Sequence, residues 1–228
     1  TPVEKRAVVE AAESAGAREV YLIEETMAAA LGAKMDSVLN SRGGMIIDIG
    51  GGTTGISIIS LGGLVISRSI KTAGDSMNQA IILYVKNNHG LLIGENMAES
   101  VKKTIADVTD TPSESLKMTV RGRSLESGLP ESIQLTSLDV KRALDESVID
   151  IINTVVETLD ETPPELAGDI MVDGIMLAGG GALLGGLADR LTKVTALKVT
   201  IADDPLMCVV RGCGEALEEV NTLRKISL

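Results

Sequence analysis

Residues 45–55 constrain this chain more than any other stretch. Met45-Ile46-Ile47 is an apolar run that leads through Asp48 and Ile49 into Gly50-Gly51-Gly52-Thr53-Thr54-Gly55. A second β-rich run, Ile56-Ser57-Ile58-Ile59-Ser60, follows at once. Two apolar runs joined by glycines predict a hairpin. Its tip lacks Cβ atoms and can crowd backbone N–H groups against anionic oxygens. An aspartate at the end of the first strand stands where it can hold Mg²⁺, directly or through water. The functional reading is a phosphate loop of an ATP-binding protein; the bland reading is a tight glycine turn between strands.

The glycine run has company. Ile175-Met176-Leu177-Ala178-Gly179-Gly180-Gly181-Ala182-Leu183-Leu184-Gly185-Gly186-Leu187 repeats the order of strand, glycine elbow and helix. Close backbone approach suits a flat adenine or ribose, and a helix N-terminus would add partial positive charge.

With these two elbows, the chain resembles the actin and heat-shock-chaperone ATPase superfamily and, within it, the MreB family of bacterial actins. The Asp48 loop alone points only to the superfamily. The narrower resemblance rests on Val3-Glu4-Lys5-Arg6-Ala7-Val8, Ala15-Gly16-Ala17-Arg18-Glu19-Val20, Leu22-Ile23-Glu24-Glu25 and Met27-Ala28-Ala29-Ala30. It is extended by Leu92-Ile93-Gly94-Glu95, Arg121-Gly122-Arg123 and Ser127-Gly128-Leu129-Pro130. The resemblance implies an α/β, actin-like ATPase (ribonuclease-H-like) fold, here its second half with a small α+β cap subdomain. By analogy, residues 1–40 and 209–228 are a remnant of the first large subdomain, 41–75 and 140–208 form the second, and 76–139 form the cap.

The same resemblance implies ATP and Mg²⁺ as cofactors and a slow ATPase as the parent activity. It implies self-assembly into filaments, and the cytoplasmic membrane and cell-wall elongation machinery as partners in setting rod shape. The location would be cytoplasmic, peripheral to the inner membrane. The family's first Asp-Gly-Thr phosphate hairpin and its small inserted subdomain have no counterpart ahead of Thr1. The chain is therefore expected to be a fragment that binds nucleotide weakly and hydrolyses negligibly alone, the membrane-binding element lying in the part it lacks.

Roles carry over residue by residue. Asp48 would position Mg²⁺ and the attacking water; its alternative is a turn cap. Gly50, Gly51, Gly52, Thr53 and Thr54 would donate to the β- and γ-phosphates. Glu25 would polarise the water from the start of a mobile helix, against the alternative of an acidic residue favoured in a first turn. The family usually has proline after this glutamate, and Thr26 stands there instead, which predicts a looser helix entry. Glu99, Lys102 and Lys103 share one helix face at i, i+3 and i+4. They would hold adenine and ribose, or else form a solvated ion-pair cluster. Gly179, Gly180, Gly181 and Ala182 would pack on the nucleoside from the opposite side. Asp75 reads as a helix cap, and His89 as structural or solvent-facing.

Composition narrows the alternatives. The 228 residues include no Trp or Phe and only Tyr21 and Tyr84, so the core is aliphatic, with nine methionines. Base stacking on aromatic platforms has no residues to use, and a net charge of −11 opposes a phosphate backbone. No nucleic-acid partner is expected. Cys208 and Cys213 match neither a zinc pair nor a redox motif and read as small buried hydrophobes. Two other functions share the fold: a chaperone-type ATPase domain, which would continue into a peptide-binding domain, and a small-molecule kinase, which needs a second substrate pocket.

Periodicity predicts helices over 3–15 (with Ala7, Val8, Ala11, Ala12 and Ala15 on one face), 25–33, 75–88, 94–108, 137–159, 182–192 and 206–218, and one starting at Pro163-Pro164. Strands are predicted over 20–23, 45–49, 55–61, 64–70, 117–123, 132–135 and 198–201, with Gly62-Gly63 as a two-residue turn. Ser41-Arg42-Gly43-Gly44 reads as a hinge.

Overall fold

In the computed structural model, residues 2–38, 40–112 and 116–218 are described; residues 219–228, assigned above to the first large subdomain, lie outside them. A five-stranded sheet forms the centre, in the order β3-β2-β1-β7-β8. Its strands are β1 (Gly44–Ile49), β2 (Thr54–Ser60), β3 (Gly63–Ile70), β7 (Ile175–Ala178) and β8 (Val199–Ile201). β1 is buried along its whole length, pairing antiparallel with β2 and parallel with β7. A central strand covered on both faces needs the continuous apolar run that its sequence has. A second sheet, β4-β5-β6, is built from Leu91–Leu92, Lys117–Ser124 and Pro130–Thr136.

Strand alternation divides the interior. Met45, Ile47, Ile49, Ile56 and Ile58 face one core. There they meet α3 (Gly74–His89), α4 (Glu95–Ile105), α5 (Ser137–Asp160) and α7 (Leu187–Thr195). Ile46 and Ile59 face the other core, packed with Met27, Ala29 and Ala30 of α2 (Glu25–Gly32) and with Cys208 of α8 (Cys208–Glu218). Fully burying one such aliphatic side chain contributes about 1.5–3 kcal/mol. α2 and α8 cross backbone to backbone: a Cβ on Gly32 would lie 1.9 Å from the Cys208 carbonyl, and one on Gly212 would lie 1.8 Å from that of Ala28.

α5 carries the stripe Val140, Leu144, Val148, Ile151 and Val155, all fully buried. Thr136 and Asp139 close a capping box at its start. Its buried Thr154 and Thr158 donate their hydroxyls to carbonyls four residues back, which satisfies them within an apolar face. α6 (Pro164–Asp173) starts at proline as predicted.

Two expectations change. The turn between β2 and β3 is Leu61-Gly62, with φ of 52° and 68°, so that Ser60 pairs with Gly63. A Gly62-Gly63 turn would instead have paired Leu61 with Leu64; the observed ladder also shifts register once at a bulge between Ile58 and Ile59. Residues 20–23 are half-buried but join no strand ladder among the described residues. α1 (Pro2–Ser14) forms as predicted, with none of its residues buried. The glycines of the segment read as a hinge are closely packed. A Cβ on Gly43 would sit 2.8 Å from that of Leu166, and one on Gly44 would sit 2.2 Å from Ser37 Oγ.

Candidate functional site

The hairpin β1–β2 and the elbow after β7 end side by side. Gly179, with φ of 78°, has no room for a side chain: a Cβ would lie 2.4 Å from the Ile49 carbonyl oxygen and 2.6 Å from Asp48 Oδ1. Only glycine lets the two turns approach this closely. Between them, α3 and α4 open a cleft of about 1070 Å³, roomy enough for a nucleoside triphosphate.

Of the residues singled out from sequence, Glu25, Asp48, Gly50, Gly51, Glu99, Lys102, Lys103, Gly179, Gly180 and Gly181 all line this cleft. Gly52 and Thr53 are exposed at the hairpin tip and Thr54 is buried beyond it; these three stand outside the lining. The Thr54 hydroxyl donates to the Thr72 carbonyl at 2.7 Å. Ala182 is fully buried in the main core, so its side chain packs against protein. Residues 180–183 form a short 3-10 turn, and the α-helix starts only at Leu187. The helix terminus expected at the elbow is thus displaced from it.

Asp48 shares the strand parity of Ile46 and therefore points toward α2 and α8. It is 4% exposed. Burial first, and the neighbouring Glu25 carboxylate second, push its pKa from 3.8 up to about 6. Glu25 opens α2, whose second residue is tied to the sheet: Thr26 Oγ1 and Ser57 Oγ lie 2.8 Å apart, and Ser57 donates on to Ser67 at 3.0 Å. The entry expected to be loose for want of proline is held by a side-chain hydrogen bond instead.

Across the cleft, Glu99 accepts from Lys102 at 2.8 Å, Lys103 at 2.9 Å and Asn78 at 2.8 Å. These bonds, those from Lys102 and Lys103 foremost, hold its pKa down at about 2. Asp75 is not the cap of α3. The Ser76 hydroxyl serves the Ala73 backbone, and Asp75 faces the cleft beside Gly51.

Sequence reasoning passed over Asn78, Leu183, Leu184, Leu206 and Val209, which also line the cleft. Asn78 carried a signal, as a lone amide beside Met77 in an otherwise apolar helix face; the aliphatic residues carried none. Five carboxylates (Glu25, Asp48, Asp75, Glu95 and Glu99) face only two lysines here. A polyphosphate in such a cleft needs a cation with it. Among the described residues no three acidic, His or Cys side chains converge on a metal position.

A model of the MreB/Mbl protein family matches residues 1–225. The cell shape-determining protein MreB of Escherichia coli (strain K12) is 47% identical over 222 residues, covering 97% of this chain and 63% of the relative. This chain belongs to the MreB/Mbl family. Cell shape-determining protein Mbl of Bacillus subtilis (strain 168), another relative of this MreB/Mbl chain, is 44% identical over 229 residues, covering 100% of this chain and 68% of the relative. The crystal structure of MreB5 of Spiroplasma citri bound to AMPPNP superposes with a TM-score of 0.93 at 38% identity, over 99% of this chain and 67% of that one. MreB5 has also been solved with ADP. The MamK double helical filament, at 24% identity and a TM-score of 0.80 over 96% of this chain and 66% of that one, shares the fold. The MreB/Mbl chain thus has the α/β, actin-like fold and spans 63% of the length of the Escherichia coli relative.

Proposed function

We propose that this chain is a nucleotide-binding part of an actin-like cytoskeletal protein. In this reading it binds ATP with Mg²⁺ and takes part in filaments at the inner face of the cytoplasmic membrane that direct cell-wall synthesis and rod shape. The observation that carries the reading is the convergence of the Asp48 hairpin, the Gly179 elbow and Glu25 on one cleft, in a family whose member MreB5 has been crystallised with AMPPNP and with ADP. Residues 41–75 and 140–208 would form the nucleotide-binding subdomain, 76–139 the cap, and the terminal segments part of the neighbouring subdomain.

In this reading the Gly50–Gly51 backbone lies against the phosphates and Gly179–Gly181 against the nucleoside. Mg²⁺ would neutralise the phosphate oxygens, with Asp48 as its carboxylate. Glu25 would accept a hydrogen bond from the water that attacks the terminal phosphorus. No helix among the described residues is long and apolar enough to cross a membrane.

Calorimetric titration of the chain with ATP in Mg²⁺, repeated with Asp48→Ala, tests the site. Saturable binding that needs both Mg²⁺ and Asp48 supports it. No binding, or binding indifferent to both, removes it. Nucleotide-dependent sedimentation of a full-length protein carrying this sequence tests the filament. Phosphate transfer from ATP to a metabolite hydroxyl would replace it with a kinase.

A further inference from the structure

Lys102 and Lys103 are neighbours with the same charge, yet the fold uses them differently. The side chain of Lys103 is 73% exposed and pairs with Glu99 Oε1 at the rim, whereas that of Lys102 is 12% exposed. Lys102 Nζ donates to the Gly74 carbonyl at 2.7 Å and to Glu99 Oε2 at 2.8 Å. Two of the three ammonium donors are thereby committed to protein.

Gly74 is the peptide that meets the phosphate hairpin. Its N–H donates to the Gly50 carbonyl at 3.1 Å, and the next N–H, of Asp75, donates to that of Gly51 at 2.8 Å. A Cβ on Gly74 would stand 3.2 Å from the Gly50 oxygen and 3.4 Å from Lys102 Nζ. The hairpin tip, the first turn of α3 and the last turn of α4 thus join in one run of hydrogen bonds. Its charged end is braced from behind by Glu99, which Asn78 holds in turn.

Resting on the nucleotide-site reading above, we propose that Lys102 is a positioning residue for the phosphate hairpin. It acts through the Gly74 carbonyl to hold the Gly50–Gly51 peptides in place, and not chiefly as a contact to the nucleoside. It also ties α4, and with it the small sheet, to the hairpin, so displacement of the hairpin by a phosphate load would be felt in the cap. Lys103, one residue on, lacks this role.

Two measurements on the full chain test it. The first is hydrogen exchange without nucleotide. Lys102→Met should speed exchange of the amides of Gly74 and Asp75 and of the 50–54 tip by about tenfold, the worth of one charged hydrogen bond. Lys103→Met should leave them unchanged. The second is affinity in Mg²⁺. Lys102→Met should lower ATP affinity by about tenfold and leave adenosine affinity intact, and Lys102→Arg, which keeps a donor for Gly74, should recover most of the loss.

Unchanged exchange in Lys102→Met overturns the proposal, as does an equal loss of ATP and adenosine, which marks a nucleoside contact. If Lys102→Met does not fold, Glu99→Gln, which loosens the brace behind the same ammonium, is read by the same criteria. The exchange result stands without ligand. A parent chain that binds neither ATP nor adenosine would sink the nucleotide reading while exchange alone judges the strut.

Discussion

Replacing Asp48 by Asn should stabilise the nucleotide-free chain more at high pH than at low pH. The Asp48 carboxyl has its pKa pushed from 3.8 to about 6, by burial first and by Glu25 second. A folded-state value above the unfolded one means that the folded chain holds the proton more tightly. Stability therefore falls as pH rises through that window. Below about pH 3.8 both states are protonated and nothing is lost; above about pH 6 the loss is complete. At about 1.4 kcal/mol per pH unit, ionised Asp48 costs about 3 kcal/mol at about pH 8 and about 1 kcal/mol at about pH 4.5.

Whatever hydrogen bonding the new amide gains or loses does not depend on pH. The diagnostic is thus the difference between the two conditions, about 2 kcal/mol in favour of Asp48→Asn at the higher pH. Urea denaturation of both proteins at the two pH values measures it. A stability difference equal at both would refute the buried, Glu25-coupled carboxylate. Saturating Mg²⁺ and ATP should reverse the ranking at neutral pH, because only the parent gains from binding.

Other substitutions probe the packing that shapes the site. Gly179→Ala, with its Cβ driven against the Ile49 carbonyl and Asp48, should cost about 3 kcal/mol or more. Gly52→Ala, which meets nothing within 4 Å, should stay within about 0.5 kcal/mol of the parent; thermal unfolding separates the two. Gly212→Ala, which would press on the Ala28 carbonyl, should unseat α8 from α2 and expose both helices to limited proteolysis. Thr26→Val keeps the shape but removes the buried bond to Ser57. It should cost about 1 kcal/mol by urea unfolding and loosen the amides that open α2, read by hydrogen exchange.

Local patterns in the sequence carried the parts of this protein that depend on neighbours along the chain. A continuous apolar run before Asp48, glycines after it and an apolar run again could only be a buried strand, a tight tip and a returning strand. The extent of α5 and the proline start of α6 were legible for the same reason. So was the presence of two glycine elbows, each at the end of an apolar strand run.

What the sequence left open was which groups meet. Thr54 has a hydroxyl suited to phosphate, but the fold sets the Thr72 carbonyl beside it. Ala182 follows three cleft glycines and turns into the core. Lys102 and Lys103 look alike on a helical wheel, and only the packing of α4 against the start of α3 brings one of them to Gly74. Asn78 became part of the cleft through Glu99, 21 residues away. Hydrogen bonds and charges act over a few ångströms, and those ångströms are set by how helices settle on a sheet. Periodicity decides which face of a helix is buried; the tertiary fold alone decides what that face touches.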